Sequence, residues 1–316
     1  MPLNYRRIIV LLIFLAPIIV AAQQPASPSV LQQLGYPANA KLLIIHADDL
    51  GMAHSVNQAT FEALEKGWIT SSSIMVPCPW LEEVARWAKT HPQADLGIHL
   101  TLDSEWTSYR WRPIESADKV PSLLDAEGYF PNDPSLLVNA DPTQVEAELR
   151  AQIDRARLLG INPTHLDSHM LALLSTPPFI RVYQNLSKEY DLPILLVSAG
   201  EFKTPDPMPA NQIVVTQVIT MDPGVKKQDW LNWYKSKLSN LQPGLYELVV
   251  HLAHDDEEMQ GATSDHPDWG AAWRQADFET MGSAEFRKFL QDQKFVLVSW
   301  RELAQKFAKA QAAASH

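Results

Sequence analysis

The chain has 316 residues, with 26 Lys and Arg against 37 Asp and Glu, a formal charge of −11 and an isoelectric point near 5.3. This acidic balance argues against a nucleic-acid partner, because such binding depends on basic clusters that neutralise phosphates. The single cysteine, Cys78, excludes an intrachain disulfide and any metal site built from several cysteines. The length fits one α/β barrel-sized domain of about 250–300 residues once the N-terminus is set aside.

The first 22 residues have the pattern of a secretory signal. Two arginines precede the apolar run Ile8–Val20, and a small-residue cleavage site, Ala21-Ala22, follows it. We therefore predict a signal peptide at 1–22, a Pro/Ser-rich lead-in at 23–40 and one folded domain at 41–316. The protein is expected to be exported, periplasmic or secreted, with no stable membrane span after signal removal.

After residue 40, short apolar runs alternate with amphipathic segments in the order expected for βα units. The predicted strands are Leu42–Ala47, Ser72–Val76, Leu96–Leu100, His165–Ser168, Pro193–Val197, Ile213–Val218, Tyr246–His251 and Phe295–Val298. Eight strands with interleaved helices favour a single distorted (β/α) barrel resembling a TIM barrel; an open doubly wound sheet is the alternative. Both architectures place ligands at the C-terminal ends of the strands.

Two long segments, Asp103–Asn139 and Leu252–Thr280, are predicted to be irregular loops at the strand ends. Loops of this length in a compact domain are usually functional or disordered. They carry Trp106, Trp111 and Trp269, which are expected to stack on sugar rings, the alternative being ordinary packing over the barrel mouth.

Polar residues gather where the predicted strands end. The first strand ends in His46, Asp48 and Asp49, and later strands end in five further residues: His99, Asp167, His169, His251 and His254. Converging imidazoles and an Asp pair would be costly to desolvate without a cation. Two imidazoles and one carboxylate form the ligand set of a hydrolytic metal, typically Zn²⁺, with Mn²⁺, Co²⁺, Ni²⁺ and Mg²⁺ also compatible.

Several sequence blocks resemble, in order and spacing, the YdjC-like family of carbohydrate deacetylases, which includes chitooligosaccharide deacetylase and is related to the NodB-type polysaccharide deacetylases. The blocks are HADDLG at 46–51, GIHLTL at 97–102, THLDSHM at 164–170, ELVVH at 247–251 and VSWREL at 298–303. The resemblance covers nearly the whole chain after residue 40. It implies a distorted (β/α) barrel, one divalent metal ion and hydrolytic removal of an acetyl group from an N-acetylated sugar.

The resemblance also implies residue roles. Asp48 matches the general base and His251 a candidate general acid, and the metal ligands would be Asp49, His99 and His169. The chain departs from the family pattern on the substrate side of the pocket, where Leu171 replaces a second histidine, Leu252-Ala253 replaces Pro-Gly, and His46 replaces the usual Asn.

The remaining candidate residues are assigned to substrate binding or positioning. Asp167 is expected to orient Asp48 or a sugar hydroxyl, and Arg274 to position the aspartate base. Substrate contacts are expected from His46, Asp167, Trp106, Trp111, His254, Trp269 and Arg274.

Two other functions remain open from the residues alone. A metal-independent glycoside hydrolase would use paired carboxylates such as Asp48 with Asp255 or Asp256. An exported carbohydrate-binding protein without turnover would keep the barrel and the aromatic loops.

Overall fold

A computed structural model describes residues 29–205, 208 and 212–314, so the predicted signal at 1–22 lies outside the described residues. Its regular strands are β1 (Lys41–Leu50), β2 (Ser71–Ile74), β3 (Leu96–Leu100), β4 (Leu166–Ser168), β5 (Gln217–Thr220), β6 (Gly244–Val250) and β7 (Phe295–Leu297). They form one parallel sheet in the order β4-β3-β2-β1-β6-β5, with β7 paired to the first residues of β1. This parallel sheet agrees with the predicted α/β class.

Isolated parallel bridges connect the two ends of the sheet. Leu166 of β4 pairs with Ile194, and Val197 pairs with Val215, just before β5. The predicted strands Pro193–Val197 and Ile213–Val218 are thus reduced to bridges, apart from β5 itself, which begins at Gln217. The sheet with these bridges is a distorted (β/α) barrel, and the open doubly wound alternative does not apply.

Helices alternate with the strands and cover the outside of the sheet. The α-helices are α1 (Val30–Gln33), α2 (His54–Glu65), α3 (Leu81–Thr90), α4 (Pro142–Leu158), α5 (Pro177–Tyr190), α6 (Trp230–Ser239), α7 (Glu257–Ala262), α8 (Ala271–Gly282), α9 (Ala284–Asp292) and α10 (Trp300–Ala314). Local signals explain some of their ends. Asp141 and Thr176 accept hydrogen bonds from backbone amides at the N-termini of α4 and α5, and each cap is followed by proline.

The alternation of side chains along β1 separates the inner core from the outer one. Leu42 and Ile44 face inward with Leu245 and Trp300, whereas Leu43 and Ile45 pack outward with residues of α6, α8 and α9. Helix α1, which lies in the predicted lead-in, adds Leu31 to the inner core.

The two long segments differ from each other. Between Asp103 and Asn139 the regular structure consists of two short 3₁₀ turns, Pro121–Leu123 and Pro134–Leu137. The segment Leu252–Thr280 was predicted to be irregular, which is wrong, because it contains α7 and most of α8. None of the helices in the described part of the chain is both long and apolar enough to cross a membrane.

Candidate active site

A bulge at the end of β1 aims two consecutive aspartates at the same place. The register with β2 shifts between Ala47 and Leu50, and Asp49 adopts a left-handed backbone with φ of 68°. Successive residues of a regular strand point to opposite faces, so a bulge is needed to turn both carboxylates inward. Gly51, with φ of 96°, supplies the next turn at little steric cost.

Three acceptor atoms face one another at this strand end. Asp49 Oδ1 lies 3.6 Å from His99 Nε2 and 3.6 Å from His169 Nδ1, and those two nitrogens are 3.2 Å apart. All three side chains are buried. The structure therefore brings together the three residues that the sequence assigned to a metal.

Two carboxylates accept hydrogen bonds from the ring nitrogens of His99 and His169 that point away from Asp49. Asp167 Oδ1 accepts from His99 Nδ1 at 2.7 Å, and Glu105 Oε2 accepts from His169 Nε2 at 3.1 Å. In neutral rings these bonds place the ring protons on the outer nitrogens, which leaves lone pairs on the two inner ones. Carboxylates commonly hold metal-binding histidines in this way and fix the tautomer and orientation of the rings.

The charges around the three acceptors favour a cation. Burial lowers the pKa of His169, but Asp103 and Glu105 outweigh that effect and raise the pKa to about 10, so without an ion this ring holds a second proton where a metal would bind. Burial also raises the pKa of Asp103, to about 7, and both of its oxygens lack hydrogen-bond partners. Asp49 Oδ1 has no hydrogen-bond partner either. An orphaned buried oxygen facing two lone pairs fits a divalent metal, which would satisfy all three acceptors at once.

Asp48 and His251 adjoin these ligand atoms. Asp48 Oδ2 lies 3.8 Å from His99 Nε2 and 3.9 Å from His251 Nε2, and the Asp48 side chain is 14% exposed. The His251 ring packs 6.0 Å from the Trp269 ring, and its backbone amide donates to Asp277 Oδ2 at 2.9 Å. The predicted base and acid therefore face each other beside the three acceptors.

Arg274 has a different partner from the expected one. Its Nη1 pairs with Asp49 Oδ2 at 2.8 Å, and its Nε donates to the Trp269 carbonyl at 3.0 Å. Although burial opposes the effect, Arg274 and the nearby histidines hold the pKa of Asp49 below its usual range. Arg274 positions the proposed metal ligand, so the expectation that it positions the aspartate base is corrected. It is also buried, which corrects its assignment to substrate contact.

His46 and Asp167 lie beneath the pocket and not on its wall. Asp167 is 3% exposed, and its two oxygens contact His99 and His46. His46 is fully buried, and both ring nitrogens have protein partners. The expected substrate contacts of these two residues are therefore corrected, because at most 3% of either residue is exposed and their polar atoms are bonded to other side chains.

The loop aromatics also differ from expectation. Trp106 and Trp111 are 1% and 2% exposed, so neither ring is free to stack on a sugar. They pack against each other, and Trp111 donates to the Asp103 carbonyl. Trp269 remains partly exposed beside His251. His254 packs on Phe278 and lines a surface cleft with side chains of α2 and α3.

The sequence analysis missed three acidic residues that belong to this arrangement: Asp103, Glu105 and Asp277. Asp103 and Glu105 follow the GIHLTL block by one and three residues, and both approach the outer nitrogen of His169. That position was the available signal, because acids just past a ligand-bearing strand can reach a second ligand. Asp277, which holds the amide of His251, lies on a helix and gave no such signal.

Comparisons with known proteins agree with this architecture. The family model described as YdjC-like protein matches residues 42–292. A carbohydrate deacetylase of Thermus thermophilus is 36% identical over 86% of this chain and 96% of its own length. One of Thermoanaerobacter pseudethanolicus is 30% identical over 82% of this chain and 98% of its own length.

A solved structure from Enterococcus faecalis V583, described as a candidate cellobiose-phosphate cleavage protein, has the same fold. It superposes with a TM-score of 0.71 at 24% identity, over 84% of this chain and 99% of that one. The family model spans most of the domain and includes the Asp49, His99 and His169 positions. The chain belongs to the YdjC-like protein family.

Proposed function

We propose that this protein is a metal-dependent carbohydrate deacetylase, which hydrolyses the acetamide of an N-acetylated sugar. The names of the curated relatives support the activity and the substrate class. The observation that carries the proposal is the convergence of Asp49 Oδ1, His99 Nε2 and His169 Nδ1, with Asp48 beside them. This set of donors suits a hydrolytic metal.

Asp49, His99 and His169 would hold one divalent ion, with Zn²⁺ the typical choice and Mg²⁺, Mn²⁺, Co²⁺ and Ni²⁺ compatible. When bound, such an ion supplies Lewis acidity, which polarises an amide carbonyl and makes a water molecule more acidic. Arg274, Asp167 and Glu105 hold Asp49, His99 and His169 in place for such an ion.

Asp48 acts as the general base in this proposal. Its Oδ2 faces His99 Nε2 and His251 Nε2, and it is the more exposed of the two aspartates. It takes a proton from the attacking water as the water oxygen bonds to the acyl carbon. The amide C–N bond then breaks, and the leaving nitrogen needs a proton.

His251 delivers that proton. Burial lowers the pKa of His251, so the ring is neutral at the start of the reaction. Asp48 Oδ2 lies 3.9 Å from Nε2, beyond direct hydrogen-bond reach, so the two side chains would have to approach each other for the proton taken from water to pass. The proton then moves to the departing amine, which leaves acetate and a free amino sugar. Trp269 is the partly exposed ring beside this step and would contact the sugar.

The proposal includes an exported location, which rests on the signal pattern at 1–22. Acetylated cell-wall and chitin-type glycans would then be accessible to the protein. Cell fractionation tests this part separately: the mature chain should appear outside the cytoplasm and begin after residue 22.

Acetate release from a panel of N-acetylated glycans, with and without chelator, tests the activity. We expect release that chelator abolishes and a divalent metal restores. Cleavage of glycosidic bonds without acetate release, unaffected by chelator, would instead support the paired-carboxylate alternative. The structure weighs against Asp256 in that role, because its carboxylate accepts from Ser55 Oγ at 2.6 Å and caps α7.

A further inference from the structure

A histidine lies buried under the proposed base. His46 Nδ1 is 3.0 Å from Ser71 Oγ, and His46 Nε2 is 3.0 Å from Asp167 Oδ2 and 3.2 Å from Asp48 Oδ1. Ser73 Oγ is also 3.0 Å from Nε2. One ring thus contacts both the proposed base and the carboxylate that orients His99.

The hydrogen-bond partners determine which ring atoms carry protons. Ser71 Oγ donates its own proton to Asp95 Oδ1 at 2.8 Å, so it can only accept from His46 Nδ1. At Nε2 the partners are Ser73 Oγ, whose hydroxyl donates to Asp48 Oδ1 at 3.5 Å, and the carboxylates of Asp48 and Asp167, which accept and do not donate. Both ring nitrogens are therefore donors, which is the pattern of an imidazolium.

A neighbouring histidine provides an internal comparison. His165 Nδ1 donates to Thr164 Oγ1, whose hydroxyl donates in turn to the same Asp95 oxygen. Its Nε2, however, has no hydrogen-bond partner, and the nearest carboxylate oxygen, on Asp167, is 4.0 Å away. His165 therefore has the hydrogen bonds of a neutral ring, and the two rings lie only 5.1 Å apart.

The remaining charged groups around His46 also favour a protonated ring. Glu247 of β6 is near enough to interact with the His46 charge, and burial raises its pKa to about 8, so it is neutral at pH 7. Burial opposes a charge on His46, but its bonds to Asp167 and Asp48 raise the pKa well above the usual value. Burial and the neighbouring His46 lower the pKa of His165 to about 4.

We propose that His46 is a positioning residue, an imidazolium that fixes Asp48 and Asp167 at the same time. It holds Asp48 by Oδ1, which leaves Oδ2 toward His99 and His251. It holds Asp167 by Oδ2, which leaves Oδ1 for His99. The link to turnover rests on the proposed function, whereas the charge of the ring does not.

Nitrogen NMR of the metal-loaded protein with ¹⁵N-labelled histidine tests the charge. At about pH 9, above the ordinary histidine pKa of about 6.5, we expect an imidazolium signal that belongs to His46. That signal should vanish in His46→Asn and persist in His165→Asn, the matched control. Neutral signals from every ring, or a His46→Asn spectrum that keeps every imidazolium signal of the wild type, would overturn the proposal. This result does not depend on whether the protein releases acetate.

Kinetics test the positioning. His46→Asn keeps one donor without charge, and His46→Leu keeps neither, so kcat should fall in the order wild type, His46→Asn, His46→Leu. The loss for His46→Leu should be about 10- to 100-fold, the usual range for residues that hold the groups of a metal site in place, with KM nearly unchanged. Wild-type kcat in folded His46→Leu would overturn the positioning role, even if the ring were shown to be charged.

Discussion

The strand-end side chains and the tryptophans of the loop above them are equally buried but are held by different forces. Asp49 and His99 are fixed by charged and hydrogen-bonding partners on several strands and on α8. Trp106 and Trp111 are fixed mainly by packing against each other and against Tyr109. The difference implies that substitutions in the first region should change metal affinity and turnover, whereas substitutions in the second should change stability.

The largest effect is expected for Asp48→Asn. An amide cannot accept the proton of the attacking water, so kcat for acetate release should fall about 100- to 10,000-fold. Metal content should stay at the wild-type level, because Asp49, His99 and His169 are untouched. Elemental analysis beside the kinetic assay checks both, and turnover within a few-fold of wild type would remove Asp48 from the base role.

The hydrogen bond between Asp167 and His99 is tested by Asp167→Asn. This change weakens the support of His99 Nδ1 and removes a charge beside His46, so metal affinity should fall about 10- to 100-fold. A competition titration with a chelating indicator measures that change. Unchanged affinity would mean that the 2.7 Å bond does not matter for metal binding.

Much of the strand-end site could be predicted from the sequence, because parallel strands end at one edge of a barrel and carry His99 and His169 there. The bulge that turns Asp48 and Asp49 inward could not, since it depends on the register with β2. The choice of Asp49 as the partner of Arg274 and the burial of Trp106 depend on contacts between distant segments. Periodicity and local spacing carry no information about such contacts.

The structural role of the buried tryptophans is tested by comparing Trp106→Ala with Trp269→Ala. Removing the fully buried Trp106 ring should cost about 3–5 kcal/mol of unfolding free energy, in the range of large aromatic truncations. Trp269 is partly exposed, so its loss should cost less stability and raise KM for the sugar instead. Denaturant unfolding and steady-state kinetics separate the two outcomes. Equal stability losses would contradict the distinction between them.

The smallest effect concerns the pH dependence of stability at Glu148, which anchors the segment Asp103–Asn139. Glu148 of α4 accepts from the amides of Ile114 and Glu115, and burial raises its pKa from 4.5 to about 7. The folded state binds the proton of the Glu148 carboxyl more tightly than the unfolded state does. Protonation of Glu148 therefore stabilises the fold fully below pH 4.5, and this stabilisation is lost as pH rises through about 7. In Glu148→Gln the free energy of unfolding should fall by about 1–3 kcal/mol less than in wild type over this pH range.

Urea unfolding of wild type and Glu148→Gln on both sides of this pH window measures the difference. Lys119 pairs with the partly exposed Glu115 nearby, and Glu115→Gln serves as the control that should keep the wild-type slope. An identical pH slope in Glu148→Gln and wild type would show that this carboxyl does not titrate in the folded protein.

The central claim is that Asp49, His99 and His169 hold one divalent ion. Metal stoichiometry after reconstitution and desalting tests it most directly, measured for wild type, His99→Ala, His169→Ala and His165→Asn. His165 belongs to a second buried group, with His46 and Asp167, that could hold an ion. The account predicts one equivalent of metal in wild type and His165→Asn and loss in the other two variants. Full occupancy in His99→Ala and His169→Ala would contradict it.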